Sequence, residues 1–366
     1  MTSEKSVTKV TITTSIPSPY QVEFFDALSA LDTIRLKVLY EFATRDSRSW
    51  DRPELQHEHC FLNDVGTEEA MNFIGDSQLV VFSGYRNVHI RQLINQRHAA
   101  GLPWVYWAEK PGVISGWLGR CYRRLFFKPL RDPRVPVWGM GNWAVNAWRL
   151  ELGVGRLYCN IPYHSRLDSF LELPPKLSKK RPTRILFSGS LIRRKGVDLL
   201  VEAFLRLARE MPDLELHLVG EGSMRESLGK KCKAVSDRVV FHGFRQWHEL
   251  PSLYTDADIL CAPSRYDGWG LIIPEGLAAG ILVVSTDQTG AALELIDEEI
   301  GWVVPANQTE PLVESLRSAI MCSSRERNIR IANGRRRVMS MDVRGGTKKF
   351  SDAVGKSLAS FQGHEL

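Results

Sequence analysis

The chain has 366 residues, 43% hydrophobic and 25% charged, which excludes a disordered or low-complexity protein and, at roughly 100–200 residues per domain, suggests two globular domains. No apolar run reaches the ~18–20 residues of a membrane-spanning helix, the first residues lack a secretory apolar core, and the six scattered cysteines include no CxxC pair, so a reducing cytoplasm is expected. The net charge of +6 points to acidic partners: phosphates, anionic lipid or nucleic acid.

In chain order, Val7–Thr14 reads as a strand, Tyr20–Leu31 as a helix and Ile34–Tyr40 as a second strand. Leu79–Ser83 is a continuous apolar run of the kind that parallel sheets bury. A helix from Asn87 to Ala99 and a strand Pro103–Ala108 follow. Leu171–Thr183, rich in Pro and Lys, reads as a linker. Beyond it, Arg184–Leu191 is a strand entering a glycine turn. Gly196–Met211 is a helix whose apolar positions mark one buried face. Strands at Leu214–Gly220, Arg238–Gly243, Ala257–Ser264, Ile281–Thr286 and Gly301–Pro305 alternate with helices at Ser223–Val235 and Pro274–Ala279. Such alternation predicts parallel sheets with helices on both faces, and ligands bind at the carboxyl ends of their strands.

The segment SRYDGWGLIIPEGLAAGILVVSTD, from Ser264 to Asp287, sets two acids, Asp267 and Glu275, eight positions apart. A helix beginning near Leu271 leaves the first amides of that turn without intrahelical partners, a site suited to an anion. Glycines there allow a close backbone approach. Glu275 in the first turns is placed to accept from vicinal hydroxyls, and Asp267 at the loop edge to grip a sugar ring. A helix cap and a loop acid account for the two residues equally well. Upstream, Arg193, Arg194 and Lys195 stand between a strand and a helix, where their charge suits a diphosphate; a solvated basic turn is the ordinary alternative.

The motifs SGSLIRRKGVDLLVEAF, LHLVGEGSMRESL, VVFHGF, YTDADILCAPS and YDGWGLIIPEGLAAGILVVSTDQTGAALELI together resemble the donor domain of retaining GT-B glycosyltransferases of the family-four, group 1 type. The resemblance implies a GT-B α/β fold, two Rossmann-like doubly wound domains facing across a cleft. Residues 1–170 would bind the acceptor, 171–345 the nucleotide-sugar donor, and a C-terminal helix in 346–366 would pack back on the first domain. It implies that Glu275 holds the donor ribose and Asp267 the transferred sugar. The amides of Trp269, Gly270 and Leu271 would meet phosphates and sugar. Lys195, with Arg194 or Arg193, would stabilise the leaving diphosphate, and the turn at Gly189 and Ser190 would border it. Gly243, Phe244 and Arg245, in the loop to Trp247, would flank the base. Two departures are plain: the first acid is Asp, one methylene short, and Ser190 stands where the family usually has arginine, which leaves the diphosphate's exact partner open.

The N-terminal half resembles bacterial members from polysaccharide and lipopolysaccharide pathways through TTSIPSPYQVEFFDALSAL. In WAEKPG, Glu109 occupies a position near which the family often has a cleft histidine; it is a candidate for acceptor positioning, beside the alternative of an N-cap or surface acid. Gly139 and Gly141 are suited to a close turn.

The resemblance implies transfer of a sugar with retention of configuration, from a UDP- or GDP-sugar to a hydroxyl of a glycan or lipid-linked acceptor, with no metal and no other cofactor. Three motifs compete for other readings. Asp256–Asp258 imitates a metal-binding DxD but precedes a buried strand. His57–Cys60 (HEHC) lacks a second ligand pair at zinc-site spacing. Gly220–Gly222 lacks the third glycine of a dinucleotide fingerprint. Residues 116–134 mix Arg120, Arg123, Arg124, Lys128 and Arg131 with Trp117, Leu118, Leu125, Phe126 and Phe127, a pattern suited to anionic lipid at the inner face of the membrane and equally to a buried helix with a charged flank. A non-catalytic GT-B protein that binds nucleotide or glycan is the alternative reading. Nucleic-acid binding is not expected, because no recognition helix or aromatic–basic platform is present.

Overall fold

Strands that read as unbroken apolar runs are those a parallel sheet buries on both faces, and the chain builds two such sheets. The computed structural model describes residues 7–44, 50–111, 117–174 and 181–363. They divide into two units: one comprises the chain up to Arg166 and again from Asp342, the other Leu167–Met341.

In the first unit the order is β1 (Thr8–Thr14), α1 (Pro19–Ser29), β2 (Ile34–Tyr40), β3 (Glu58–Phe61), α2 (Leu62–Gly75), β4 (Leu79–Phe82), α3 (Val88–Ala99), β5 (Trp104–Ala108), α4 (Trp117–Phe126), β6 (Val137–Gly139), α5 (Asn142–Leu152) and β7 (Tyr158–Asn160). The sheet runs β3-β2-β1-β4-β5-β6-β7 with every neighbouring pair parallel. The period of two in a strand decides which face each side chain serves. In β5, Trp104 and Tyr106 pack with Ile90, Leu93 and Ile94 of α3, while Val105 and Trp107 pack with Phe24 and Phe25 of α1.

The second unit contains α6 (Asp168–Leu171), β8 (Thr183–Ser188), α7 (Val197–Glu210), β9 (Leu214–Val219), α8 (Arg225–Lys231), β10 (Val239–Gly243), α9 (Leu250–Asp256), β11 (Ile259–Ala262), α10 (Ile272–Ala278), β12 (Leu282–Thr286), α11 (Gly290–Leu295), β13 (Trp302–Val304), α12 (Thr309–Met321) and α13 (Ser324–Val338). Its sheet runs β10-β9-β8-β11-β12-β13, again wholly parallel. The apolar face of α7 (Val197, Leu200, Val201, Phe204, Leu207) is fully buried on this sheet, each side chain contributing about 1.5–3 kcal/mol of transfer free energy. The chain then returns to the first unit as α14 (Val343–Phe361), where Phe350 lies edge-on to Trp138 at 5.1 Å and Trp138 Nε1 donates to Ser357 Oγ at 3.1 Å.

Both units are the expected Rossmann-like, doubly wound α/β type. Some local expectations change. The helix read over Ser223–Val235 is shorter: α8 ends at Lys231, and a 3-10 turn from Lys233 to Arg238 follows, with Val235 at φ −133° and ψ 30°. The buried Cys232 amide closes the helix on Leu228 O at 3.0 Å. Strands β3, β6 and β7 and helices α2, α5, α6, α9, α11, α12 and α13 are additions to the sequence reading; these three strands have three or four residues each, too short for a period to show. Of the segment read as a linker, residues 175–180 lie outside the described residues.

Candidate active site

In a doubly wound sheet the loops on either side of the point where strand order reverses diverge and leave a crevice at the carboxyl ends. In the second unit that point lies between β8 and β11, which are hydrogen-bonded neighbours. The loop after β8 carries Gly189–Gly196, and the loop after β11 carries Pro263–Leu271. Of the residues singled out in the sequence, Gly189–Lys195 and Asp267–Leu271 therefore sit on two adjacent strand ends, while Gly243–Arg245 lie at the end of β10, two strands away.

Glycines bring the loops together. Gly196 has φ +69°, and a Cβ there would stand 1.8 Å from the Pro263 carbonyl oxygen, so only glycine lets α7 start against the β11 loop. The Gly220–Gly222 pair belongs to the same packing: a Cβ at Gly220 would lie 2.1 Å from Gly189 O, and one at Gly222 2.6 Å from Leu191 O. Backbone approach between the β8 and β9 loops accounts for both glycines without a dinucleotide.

The charges converge. Lys195 Nζ donates to Asp267 Oδ2 at 2.5 Å across 72 residues of sequence, with both side chains largely buried. Arg194 Nη1 donates to Tyr266 O at 2.9 Å. Arg193, Arg194 and Ser190 are exposed, and Gly189 is half-buried. The predicted cation and the predicted sugar-binding acid are thus one ion pair, a partnership that sequence spacing did not indicate.

Glu275 lies in the first turn of the seven-residue helix α10. Its Oε2 accepts from Tyr254 Oη at 3.0 Å. Burial first, and the Glu275 charge second, push the Tyr254 phenol well above its usual value, so it stays a donor and orients the carboxylate. Neither Tyr254 nor this contact was anticipated. The Trp269 ring is buried; its carbonyl accepts from Ala291 N at 2.8 Å, while those of Gly270 and Leu271 accept from Ile273 N at 3.0 Å and Glu275 N at 3.2 Å. Gly270, at φ +91°, faces Thr289, whose Cγ2 would stand 2.7 Å from an added Cβ. In the β10 loop, Gly243 has φ +69° and its carbonyl accepts from Gly220 N at 2.8 Å. Phe244 and Trp247 are exposed, and Arg245 pairs with Glu249 at 3.5 Å.

Glu109 belongs to the other unit. It lines a pocket over the carboxyl ends of β2, β4, β5 and β6 with Glu41, Tyr85, Arg86, Lys110 and Tyr163. Trp148 Nε1 donates to its carbonyl oxygen at 3.0 Å. The Tyr163 phenol, raised far above its usual value by burial and then by the Glu109 charge, shares hydrogen bonds with Glu109 and Tyr20. The acid is anchored inside an aromatic-walled pocket rather than placed as a helix cap. Gly139 permits close packing on α5, since a Cβ would meet Val145 N at 2.5 Å, and Gly141 starts that helix at φ +93°.

The competing motifs have structural partners. Asp258 accepts from Arg181 at 2.7 and 3.1 Å and from Arg184 N at 2.9 Å. His57, buried, contacts Asp26 Oδ1 at 2.5 Å and Tyr40 Oη at 2.9 Å. Among the described residues no group of three or more His, Cys, Asp or Glu is arranged to hold a metal ion, and no helix is long and apolar enough to cross a membrane. Of the basic segment 116–134, Gly116 lies outside the described residues. Leu118, Leu125 and Phe126 are 62%, 64% and 53% exposed, and Phe127 is buried. Arg123 makes a two-pronged pair with Glu151 at 2.5 and 2.6 Å, whereas Arg120, Arg124, Lys128 and Arg131 are exposed.

Residues 170–337 match the family model for glycosyl transferases group 1. An uncharacterized glycosyltransferase of Methanocaldococcus jannaschii is 36% identical over 168 residues, 45% of this chain and 40% of that protein. The lipopolysaccharide core biosynthesis mannosyltransferase LpsB of Rhizobium meliloti is 31% identical over 139 residues, 35% of this chain and 38% of that protein. The chain thus spans about two-fifths of the length of the curated relatives it matches. Among solved structures, Anabaena HepE in complex with UDP is similar with a TM-score of 0.76 at 15% identity, over 96% of this chain and all (100%) of that one, a likeness that shows the fold. The lipopolysaccharide outer core galactosyltransferase WaaB is similar with a TM-score of 0.71 at 14% identity, over 96% of this chain and 99% of that one. The family match thus lies within the second unit, which is similar to the group 1 glycosyltransferases.

Proposed function

We propose that this chain is a retaining glycosyltransferase that moves a sugar from a nucleotide-diphosphate sugar, UDP- or GDP-linked, to a hydroxyl of a glycan or lipid-linked acceptor in polysaccharide or lipopolysaccharide synthesis. The observation that carries the reading is the convergence of Lys195, Asp267 and Glu275 on two adjacent strand ends at the reversal point of the sheet. UDP in the HepE structure and the lipid and lipopolysaccharide acceptors in the relatives' names support the donor and acceptor classes.

In this reading Glu275, held by Tyr254, accepts from the ribose hydroxyls, and Asp267 accepts from the transferred sugar while sharing Lys195. The bond from the anomeric carbon to the phosphate oxygen breaks. The acceptor oxygen bonds to that carbon on the same face, and its proton passes to the departing diphosphate. Lys195, Arg194 or Arg193, and the amides from Trp269 to Leu271 carry the charge that builds on the leaving group, a fixed electrostatic frame of the kind that dominates such catalysis. Glu109 and Tyr163 orient the acceptor in their pocket. No metal enters the scheme. The protein works in the cytoplasm, and segment 116–134 rests on an anionic membrane surface.

The test is release of nucleotide diphosphate from a panel of UDP-, GDP-, ADP- and TDP-sugars with glycan and lipid-linked acceptors, with and without EDTA. The product's anomeric configuration is read by NMR. A product of inverted configuration, or activity lost to EDTA, overturns the mechanism; the absence of any turnover or nucleotide binding overturns the function.

A further inference from the structure

Arg265 follows the buried Ser264 and belongs to none of the residues so far given a role. Its guanidinium saturates its surroundings. Nη1 and Nη2 donate to the two oxygens of Asp198 at 2.6 and 2.8 Å, Nε donates to Asn307 Oδ1 at 2.6 Å, and Nη1 also reaches Arg193 O at 2.6 Å. Its backbone amide donates to Arg194 O at 2.9 Å, and that of Tyr266 reaches the same oxygen at 3.4 Å. The Arg265 and Asp198 side chains are largely buried, at 16% and 14% exposure.

These bonds join three separate pieces of the strand-end surface. Asp198 opens α7, directly after the basic turn. Arg193 and Arg194 are the turn itself, held through their carbonyl oxygens, which leaves both side chains on the surface. Asn307 follows β13 and holds φ +63°, the one positive φ outside glycine among the described residues, a conformation that asparagine tolerates better than most. A buried residue that grips a turn by its backbone fixes where the turn's side chains stand without competing for what they bind. The five donors of arginine lie in a rigid plane, so one side chain meets all these acceptors at once, which a lysine ammonium cannot do.

We propose that Arg265 is a positioning residue of the donor site: it bolts the Arg193–Lys195 turn to the Tyr266–Leu271 loop, so that Lys195 and Asp267 meet the donor's diphosphate and sugar in a fixed frame. This rests on the reading that the second unit holds a nucleotide-diphosphate sugar. Burial opposes the Asp198 charge, and the Arg265 hydrogen bonds outweigh it to hold the carboxyl below its ordinary range, so Asp198 is ionised at neutral pH.

The experiment measures UDP and GDP binding to the full chain by calorimetry, with melting temperatures, for the wild type, Arg265→Ala, Arg265→Lys and Arg184→Ala. Arg184 forms a comparably buried pair with Glu215 at 2.8 Å at the opposite, amino end of the same strands, and so matches a loss of stability without touching the site. Arg265→Ala is expected to weaken the bound nucleotide about tenfold to a hundredfold, as misplacement of a charged frame does. Arg265→Lys should recover little of this, and Arg184→Ala should bind as the wild type does. If Arg265→Ala fails to fold, Asn307→Gly keeps the positive φ and removes only the Oδ1 acceptor, and Asp198→Asn keeps the shape and removes the charge; each is expected to weaken binding severalfold. Equal affinity in wild type and brace variants, or equal losses in Arg184→Ala and Arg265→Ala, overturns the positioning role. A wild type that binds neither UDP nor GDP overturns the donor reading beneath it.

Discussion

The two units share one strand order apart from a seventh edge strand in the first, with the reversal at β1/β4 in the first and at β8/β11 in the second, yet their strand ends are built differently. In the second, charged side chains are tied to acids and carbonyls contributed by distant loops: Lys195 to Asp267 and Arg265 to Asp198, Asn307 and Arg193. In the first, the pocket around Glu109 is lined by the rings of Tyr85, Tyr106, Trp148 and Tyr163, with Tyr106 edge-on to Trp148 at 5.4 Å. Of the basic residues of α4, Arg120 and Arg124 are exposed while Arg123 is tied to Glu151. The same topology thus supports a preorganised electrostatic frame in one unit and an aromatic-lined hollow with a solvated basic face in the other. A run of arginines acquires its meaning from the acceptors that the fold brings to it.

If the second unit is the electrostatic frame, its acids and turns should be the least tolerant positions. Glu275→Ala should lower kcat/KM about a hundredfold or more, as loss of charged hydrogen bonds does, with circular dichroism unchanged. Wild-type turnover in that variant would remove the second unit's special status. Gly196→Ala places a methyl against the Pro263 carbonyl at a positive φ and should cost about 3 kcal/mol of stability, measured by urea unfolding; a change near zero would mean the loops are not rigidly joined.

For the first unit the sharpest probe is acid. His164 is buried against Phe24, ring centroids 5.6 Å apart, and beneath Gly346 of α14. Burial first, and then the Lys349 charge, lower its pKa to about 3. The native state therefore favours the neutral ring. Its contribution is complete above the unfolded value near 6.5 and is lost as pH falls from there towards 3. Stability should drop by about 2–3 kcal/mol between pH 7 and 4.5 through this residue, and His164→Asn should flatten that part of the profile. An unchanged profile in the variant would assign acid sensitivity elsewhere, with the buried His57, also lowered mainly by burial, the next residue to replace. The smallest effect belongs to the outward basic face: at about 1 kcal/mol per charge, Arg120→Ala with Arg124→Ala should weaken retention on phosphatidylglycerol vesicles by roughly 2 kcal/mol at low salt. Equal retention of both proteins would leave the basic face without a lipid role.

The second unit was far more legible in the sequence than the first. Its glycines and acids fall in motifs whose spacing carries chemistry, so Lys195, Asp267 and Glu275 stand out in the sequence alone. The matches with known proteins have the same asymmetry, reaching residues 170–337 through the family model. In the first unit β3, β6 and β7 are too short to show a period, and Glu109 was marked only by its place in WAEKPG, with nothing to indicate the rings around it. Tyr254, Asp198 and Arg265 were invisible for another reason: each acts through a partner tens of residues away, and a lone tyrosine, aspartate or arginine leaves no trace of that partner in the chain.

By itself the sequence determined where strands alternate with helices, which turns need glycine and which charged residues cluster, because hydrophobic period and backbone freedom are local properties. Tertiary structure alone decided that Lys195 faces Asp267, that Arg265 ties the basic turn to its neighbours, and that Glu109 lies among aromatic rings. Those outcomes depend on which strand ends lie side by side, and parallel pairing sets that over separations of dozens of residues.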